Sequence, residues 1–315
     1  MLWHLTLQTH PNIVAVASLA GLSAILISRG AQPDPETIEK AARELDVNFV
    51  RFASRVYLND YQTNLNQVTT IAALVNKMKI DGILLLGWLA NLEPEFLEQY
   101  AARFSPIPVM SIGKSFASLS SVYVKGGIYM RELVEHLIRE HDYRRILFIH
   151  PFDADDRIDA YRAAMEDHGL FNPAYMLHPD ELGGRCSMEV RTEHIMKLIE
   201  QRNLKPQAII SMYDHEAVDL LEQLTQKGIR VPEDIALTAY EDSHIVKFAD
   251  PPLTTIFYPW YEMGYTAARE LVDIIRRGPR VTHIAVPTRL IIRRSCGCGS
   301  RHFRRYAHDH SRKRK

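Results

Sequence analysis

Cysteine is scarce in this chain of 315 residues: there are three, Cys186, Cys296 and Cys298. Three thiols cannot build a disulfide framework, and such sparse use favours a reducing, cytoplasmic compartment. Long apolar runs are also lacking. Ile13 to Ile27 is almost entirely apolar or small, but it is too short to span a bilayer comfortably, so no membrane partner is expected. There is no phosphate-cradling glycine loop, no HExxH pair and no nucleophile-elbow spacing, and the 14 histidines are scattered. No enzyme is expected and no cofactor is implied. Cys296 and Cys298 could supply two metal ligands, but with no second pair evident at ligand spacing the expectation is a strand end and turn, with no metal.

Net charge is lacking too, at +0 overall, although the balance is uneven along the chain. The stretch from Arg301 to Lys315 holds seven Lys/Arg against one Asp, leaving 31 basic and 37 acidic residues elsewhere. An acidic body is a poor general surface for nucleic acid, so any attraction to phosphate would come from residues 299–315, a basic disordered tail.

What the sequence does contain is regular alternation of strand-like and helix-like segments. Helical spacing marks Glu36 to Leu45, Gln62 to Lys79, Pro94 to Phe104, Met130 to Arg139, Arg157 to His168, Met188 to Arg202 and Glu216 to Lys227. Short apolar runs mark strands at Val47 to Ala53, Ile83 to Leu86, Pro108 to Ile112, Arg145 to Ile149, Gln207 to Ser211, Ile235 to Tyr240 and Leu253 to Phe257. A long amphipathic helix opens after Pro259 and ends at Arg277, where Gly278 and Pro279 stop it. Thr288 to Arg293 is a final strand. Strands alternating with helices predict an α/β fold with parallel sheets covered on both faces.

The stretch from Val231 to Cys298 carries VPEDIAL, the AYEDS turn, PPLTTI, YEMG and the closing PTRLIIRRSCGC, in that order. Together they resemble the ligand-sensing domain of LacI/GalR-type regulators, which shares its fold with periplasmic sugar-binding proteins. The SCGC ending looks most like variant sensors that precede signalling modules in larger bacterial proteins. The resemblance implies two Rossmann-like lobes joined by multiple crossovers. Residues 36–142 with 255–286 would form the first lobe, and residues 143–254 with 287–298 the second. Lobes threaded together more than once can close upon something held between them.

Residues 1–35 admit three placements. A secretory leader is one, although Met1 to Asn12 holds no Lys or Arg for its charged start. A remnant helix-turn-helix is the second, because Val16 to Ser23 with Ile27 to Arg29 resembles the LacI-type headpiece. Ser23, Ser28 and Arg29 would then face DNA, though Ala24 to Ile27 offers base edges no donors or acceptors. The third makes either Ile13 to Ala17 or Ser23 to Ser28 the first strand of the sensor, with Gly30 to Pro35 as a ligand-facing loop.

Open parallel sheets bind ligands beyond the carboxyl ends of their strands. By resemblance, Arg157 is the ligand-binding arginine, whose fork can clasp vicinal hydroxyls or a carboxylate. A surface ion pair with Asp153, Asp155 or Asp156 is its alternative role. Glu241 stands where the family usually has an aspartate, Lys125 where an Asp is usual, and Tyr213 where an Asn commonly precedes Asp214. Trp260 offers a flat face to a ring, while Ser54 and Trp88 follow first-lobe strands. The implied function is a homodimeric, ligand-responsive sensor that controls transcription through a small polar, sugar-like effector, with DNA reached through a partner or a partial headpiece. A sensor fragment of a larger signalling protein and a secreted solute-binding protein are the alternatives.

Overall fold

The computed structural model describes residues 14–19, 22–28, 44, 48–53, 73, 80–86, 94–150, 155–182 and 188–299. In chain order its elements are β1 (Val14–Leu19), β2 (Leu22–Ser28), β3 (Asn48–Ala53), β4 (Gly82–Leu86), α1 (Pro94–Ala102), β5 (Val109–Ile112), β6 (Ser120–Tyr123) and α2 (Gly126–Arg139). There follow β7 (Ile146–Ile149), α3 (Asp156–Asp167), β8 (Met176–Leu177), α4 (Met188–Gln201), β9 (Ala208–Ile210), α5 (Asp214–Gln226), β10 (Ala236–Glu241) and α6 (His244–Phe248). The chain ends with β11 (Thr254–Phe257), α7 (Trp260–Arg277), β12 (His283–Ala285) and β13 (Arg289–Ile291). It divides into two compact units, Met1–Val124 with Pro259–Pro287 and Lys125–Tyr258 with Thr288–Lys315.

The first unit holds a seven-stranded sheet in the order β1-β3-β2-β4-β5-β6-β12. Its central pairs are parallel, with Ile25 opposite Ile83 and Leu84 opposite Met110. The helix α7 buries Met263, Ala267, Leu271, Val272 and Ile274, the stripe expected of an amphipathic helix lying on a sheet. At Gly82, the start of β4, a methyl group would come within 2.8 Å of Ile275 Cδ1 and 3.1 Å of Leu271, so a side chain there would make the ends of these two residues on α7 shift.

The second unit holds a six-stranded sheet in the order β13-β11-β10-β9-β7-β8. All four residues of β7 are buried, as are those of β9 and most of β10, the continuous apolar pattern of strands covered on both faces. Leu147, Ile209, Leu237 and Ala239 form one core with Leu220, Leu224 and Val246. Each large aliphatic side chain buried in this way contributes about 1.5–3 kcal/mol.

Two expectations change. Val14–Leu19 and Leu22–Ser28 are both strands, paired antiparallel with Val14 opposite Ile27. The helix-turn-helix placement of Val16 to Arg29 therefore fails: Ser23 and Ser28 belong to β2, and Arg29 lies outside the described residues. A run of Ala, Ile, Leu and Ile serves a strand better than a recognition helix that must meet base edges. Secondly, α2 falls in the unit that begins at Lys125, not in the one that precedes it, because its Gly126–Gly127 start packs directly on α3. Of the helices expected over 36–45 and 62–79 only Glu44 and Ala73 are described, both helical; the rest of those stretches and the loop Gly30 to Pro35 lie outside the described residues.

Candidate functional site

In the second sheet the chain runs from β7 outward to β8 and then back across to β9, so a topological switch point falls between β7 and β9. Strands β7, β9, β10 and β11 are parallel, and Phe148, Ile210, Thr238 and Thr254 stand abreast. Their carboxyl ends therefore share one edge, which is where such a sheet takes ligand. That edge receives Asp155 and Arg157 after β7, Ser211 to Asp214 after β9, Glu241 to Ser243 from β10 and Tyr258 after β11.

Asp155 is the N-cap of α3: its Oδ1 accepts from the Arg157 amide at 3.0 Å. The same carboxylate accepts from Arg157 Nε at 2.6 Å and from Nη2 at 2.5 Å. Burial works to raise the Asp155 pKa, but the charge and hydrogen bonds of Arg157 outweigh it and hold the carboxyl below its usual range. The guanidinium carbon also lies 4.6 Å from the centre of the Tyr240 ring, a cation–π contact that fixes the plane of the fork. Of the five N–H donors of an arginine, this pairing uses two and leaves three. The pairing with Asp155 is the alternative foreseen from sequence, but both side chains are only 13–14% exposed, so it is not a surface ion pair.

Gly126 and Gly127 allow this approach. A methyl group on Gly126 would stand 2.8 Å from Arg157 Cγ and 3.2 Å from Tyr240 Oη, and one on Gly127 would stand 2.8 Å from the Asp156 carbonyl oxygen. The Gly127 amide instead donates to Asp156 Oδ2 at 2.8 Å.

Asp214 is buried, and its Oδ2 accepts from the Ser243 amide at 2.6 Å. This bond crosses between strand ends and does not cap α5, whose N-cap, Tyr213, makes no side-chain cap. Burial pushes the Asp214 carboxyl up to about 6, against the pull of the Ser243 bond. Glu241 is part-buried, and burial together with the neighbouring Asp214 carboxyl pushes it up to about 8. Its φ is 124°, and that of Asp242 is 61°, two consecutive non-glycine residues in a conformation that costs of order 1–3 kcal/mol each. Arg293 holds the turn by donating to Asp242 Oδ1 at 2.5 Å. Among the described residues, buried Asp214 Oδ1, Tyr240 Oη and Ser243 Oγ lack a well-formed hydrogen bond, although the Ser243 side chain also interacts with Asp214 and that of Arg157 with Tyr240. Loosely paired polar atoms along one edge make a donor and acceptor set that a polar ligand could engage.

Behind the edge, Arg191 Nε donates to Glu216, and both side chains are essentially fully buried. Arg191 Nη2 also donates to the His150 carbonyl at 3.0 Å, and Ser211 Oγ to Glu216 Oε1 at 2.8 Å. This network ties α4 and α5 to the ends of β7 and β9.

Of the residues singled out from sequence, Arg157, Tyr213, Asp214 and Glu241 come to this edge. Lys125 is exposed at the N-cap of α2, one residue before Gly126. Trp260 is part-buried and opens α7 in the first unit, while Ser54 and Trp88 lie outside the described residues. Sequence reading passed over Tyr240, Ser243 and Tyr258, because a buried tyrosine at a strand end reads as core.

The family model described as "Periplasmic binding protein-like domain" matches residues 134–296. The HTH-type transcriptional repressor MelR of Bacillus subtilis is 26% identical over 226 residues, covering 70% of this chain and 64% of its own length. The ribose operon repressor of Escherichia coli is 30% identical over 234 residues, covering 72% of this chain and 68% of its own. Among solved structures, a complex of the transcriptional regulator CelR with cellobiose superposes with a TM-score of 0.64 at 24% identity, covering 73% of this chain and 70% of that one, a likeness of fold. No helix among the described residues is long and apolar enough to cross a membrane.

Proposed function

Since the chain belongs to the LacI/GalR family of regulators through its periplasmic-binding-protein-like sensor domain, we propose that it is a ligand-responsive regulatory sensor of a small polar, sugar-like effector. The observation that carries this reading is the shared strand edge, where Arg157 and Glu241 stand with the buried polar atoms Asp214 Oδ1, Tyr240 Oη and Ser243 Oγ, none of them in a well-formed hydrogen bond among the described residues. Arg157 donates to vicinal hydroxyls, and Asp214 accepts from one through Oδ1. Glu241, protonated at neutral pH, both donates and accepts. Sugar hydroxyls, which are donor and acceptor at once, suit such a mixed set.

The effector acts by binding one conformation of the sensor more tightly than another, since a ligand indifferent to conformation shifts nothing. The output is control of transcription by a cytoplasmic homodimer, with DNA contacted by a module or partner other than Val14–Ser28. Thermal-shift titration with pentoses, hexoses, disaccharides, nucleosides and small carboxylates tests the reading. A sugar or nucleoside should raise the melting temperature in proportion to the logarithm of its concentration, and Arg157→Ala should abolish the shift.

A further inference from the structure

The Cys296-Gly-Cys298 pair expected to be a bare strand end and turn has company. His136, in the last turn of α2, and His141, just beyond that helix, bring their imidazoles to the two thiols. One ligand atom from each of the four residues lies within 4.8 Å of every other. The separation between His136 Nε2 and His141 Nε2 is 3.2 Å, between Cys298 Sγ and His141 Nε2 3.4 Å, and between Cys298 Sγ and His136 Nε2 3.7 Å. Four ligands placed tetrahedrally on zinc, with bonds of about 2.0–2.3 Å, stand about 3.3–3.8 Å apart. The three spacings among His136, His141 and Cys298 are close to those of a coordination sphere, and Cys296 Sγ, which donates to the Arg293 carbonyl at 3.3 Å, lies within 4.8 Å of all three.

From these distances we propose that His136, His141, Cys296 and Cys298 bind one zinc(II) ion in a closed, structural Cys₂His₂ site. Binding releases the two thiol protons to solvent and places two thiolates and two neutral imidazoles around the dication, so the site carries no net charge into a largely buried position. All four ligands come from the protein, which leaves no open position for chemistry.

The surroundings are built to hold these groups. Tyr143 stacks on His141 with ring centres 5.3 Å apart, and its hydroxyl donates to the Cys296 carbonyl at 3.2 Å. Gly297 has a φ of 106°, and a methyl group there would stand 3.2 Å from both His141 Nδ1 and Tyr143 Oη. Only glycine between the cysteines lets both thiols turn to the imidazoles. Ser295, fully buried, donates to the Leu237 carbonyl at 2.5 Å and accepts from the Thr254 amide at 2.8 Å. The closing segment is thus tied to the sheet by Ser295, and the ion would tie it to the end of α2. The sequence signal was present: His136 and His141 have the H-x₃₋₅-H spacing of zinc ligands, but they lie far from the cysteines along the chain.

The test is metal content of the full chain, purified without chelator or affinity metal and measured by plasma mass spectrometry, together with cobalt(II) substitution. About one zinc per chain is expected, with at least a tenfold loss in Cys298→Ser and in His136→Ala and none in Cys186→Ser. Replacing the tail histidines His302, His308 and His310 by Ala should also leave the zinc in place. Cobalt in the wild-type protein should give the intense visible bands of a tetrahedral site and a thiolate charge-transfer band, a readout that does not depend on a variant folding. A reduced wild-type chain that takes up neither ion stoichiometrically, or zinc that disappears with the tail histidines, would overturn the proposal.

Discussion

Arg157 and Asp155 stand two residues apart and clasp each other twice, Nε to Oδ1 at 2.6 Å and Nη2 to Oδ2 at 2.5 Å, while the Asp155 carboxylate also caps α3. The arginine is thereby oriented before any ligand arrives, which lowers the ordering cost of binding. Asp155→Ala should cost more than the ~1 kcal/mol of a lost N-cap, approaching the about 3–5 kcal/mol of a broken buried pair. Urea unfolding measures this, and effector binding should weaken with it.

Arg191 and Glu216 pose a sharper energetic case because neither side chain meets solvent. Removing one partner strands the other as a buried charge. Glu216→Gln should therefore destabilise the chain by about 3–5 kcal/mol, whereas Arg191→Met with Glu216→Leu should recover much of that loss. A double-mutant cycle in urea reads the coupling.

Gly126 tests whether local packing sets the site. A methyl group at 2.8 Å from Arg157 Cγ forces that side chain to move. Gly126→Ala should weaken effector binding about tenfold, equivalent to about 1.4 kcal/mol, while Gly169→Ala, where φ is +65° but nothing lies within 4 Å, should cost stability and leave binding unchanged. Isothermal titration of the two variants separates local packing from a general loss of fold.

Asp214 and Glu241 give stability a pH dependence of defined sign. Both carboxyls are raised in the folded chain, to about 6 and about 8. At low pH both states keep their protons and nothing is lost. As pH climbs past about 4, the unfolded chain ionises while the folded one does not, so stability falls until about pH 8 and then levels off. Glu241→Gln should flatten the upper part of that decline in melting scans from pH 4 to 9. Because a protonated Glu and Gln both donate and accept, the variant should also keep effector affinity below pH 8.

The parts of the fold legible in sequence were those where burial is continuous. Ile146–Ile149 and Ala236–Tyr240 are buried throughout and apolar but for Thr238, and the periodic α7 declared its buried stripe. The strand Ser120–Tyr123 passed unseen because Ser120 and Ser121 read as loop, yet both are buried and their hydroxyls donate to the Arg280 and Leu119 carbonyls. In the site, Arg157 and Glu241 were legible by resemblance to a motif. The bond from Ser243 to Asp214 was not, since it joins turns on neighbouring strands and leaves no trace in spacing. The N-terminal apolar runs stayed ambiguous for a similar reason: small residues and a Gly suit two tightly packed helices as well as a sensor strand, and pairing with β3 and β4 favours the strand.

The most direct measurement is a thermal-shift titration of wild-type and Arg157→Ala chains, side by side, with the same panel of sugars, nucleosides and carboxylates. A hydroxyl-rich compound should give a concentration-dependent rise in melting temperature in the wild type and none in Arg157→Ala, with both chains melting cooperatively. An equal rise in the two chains, or no rise with any compound, would contradict it.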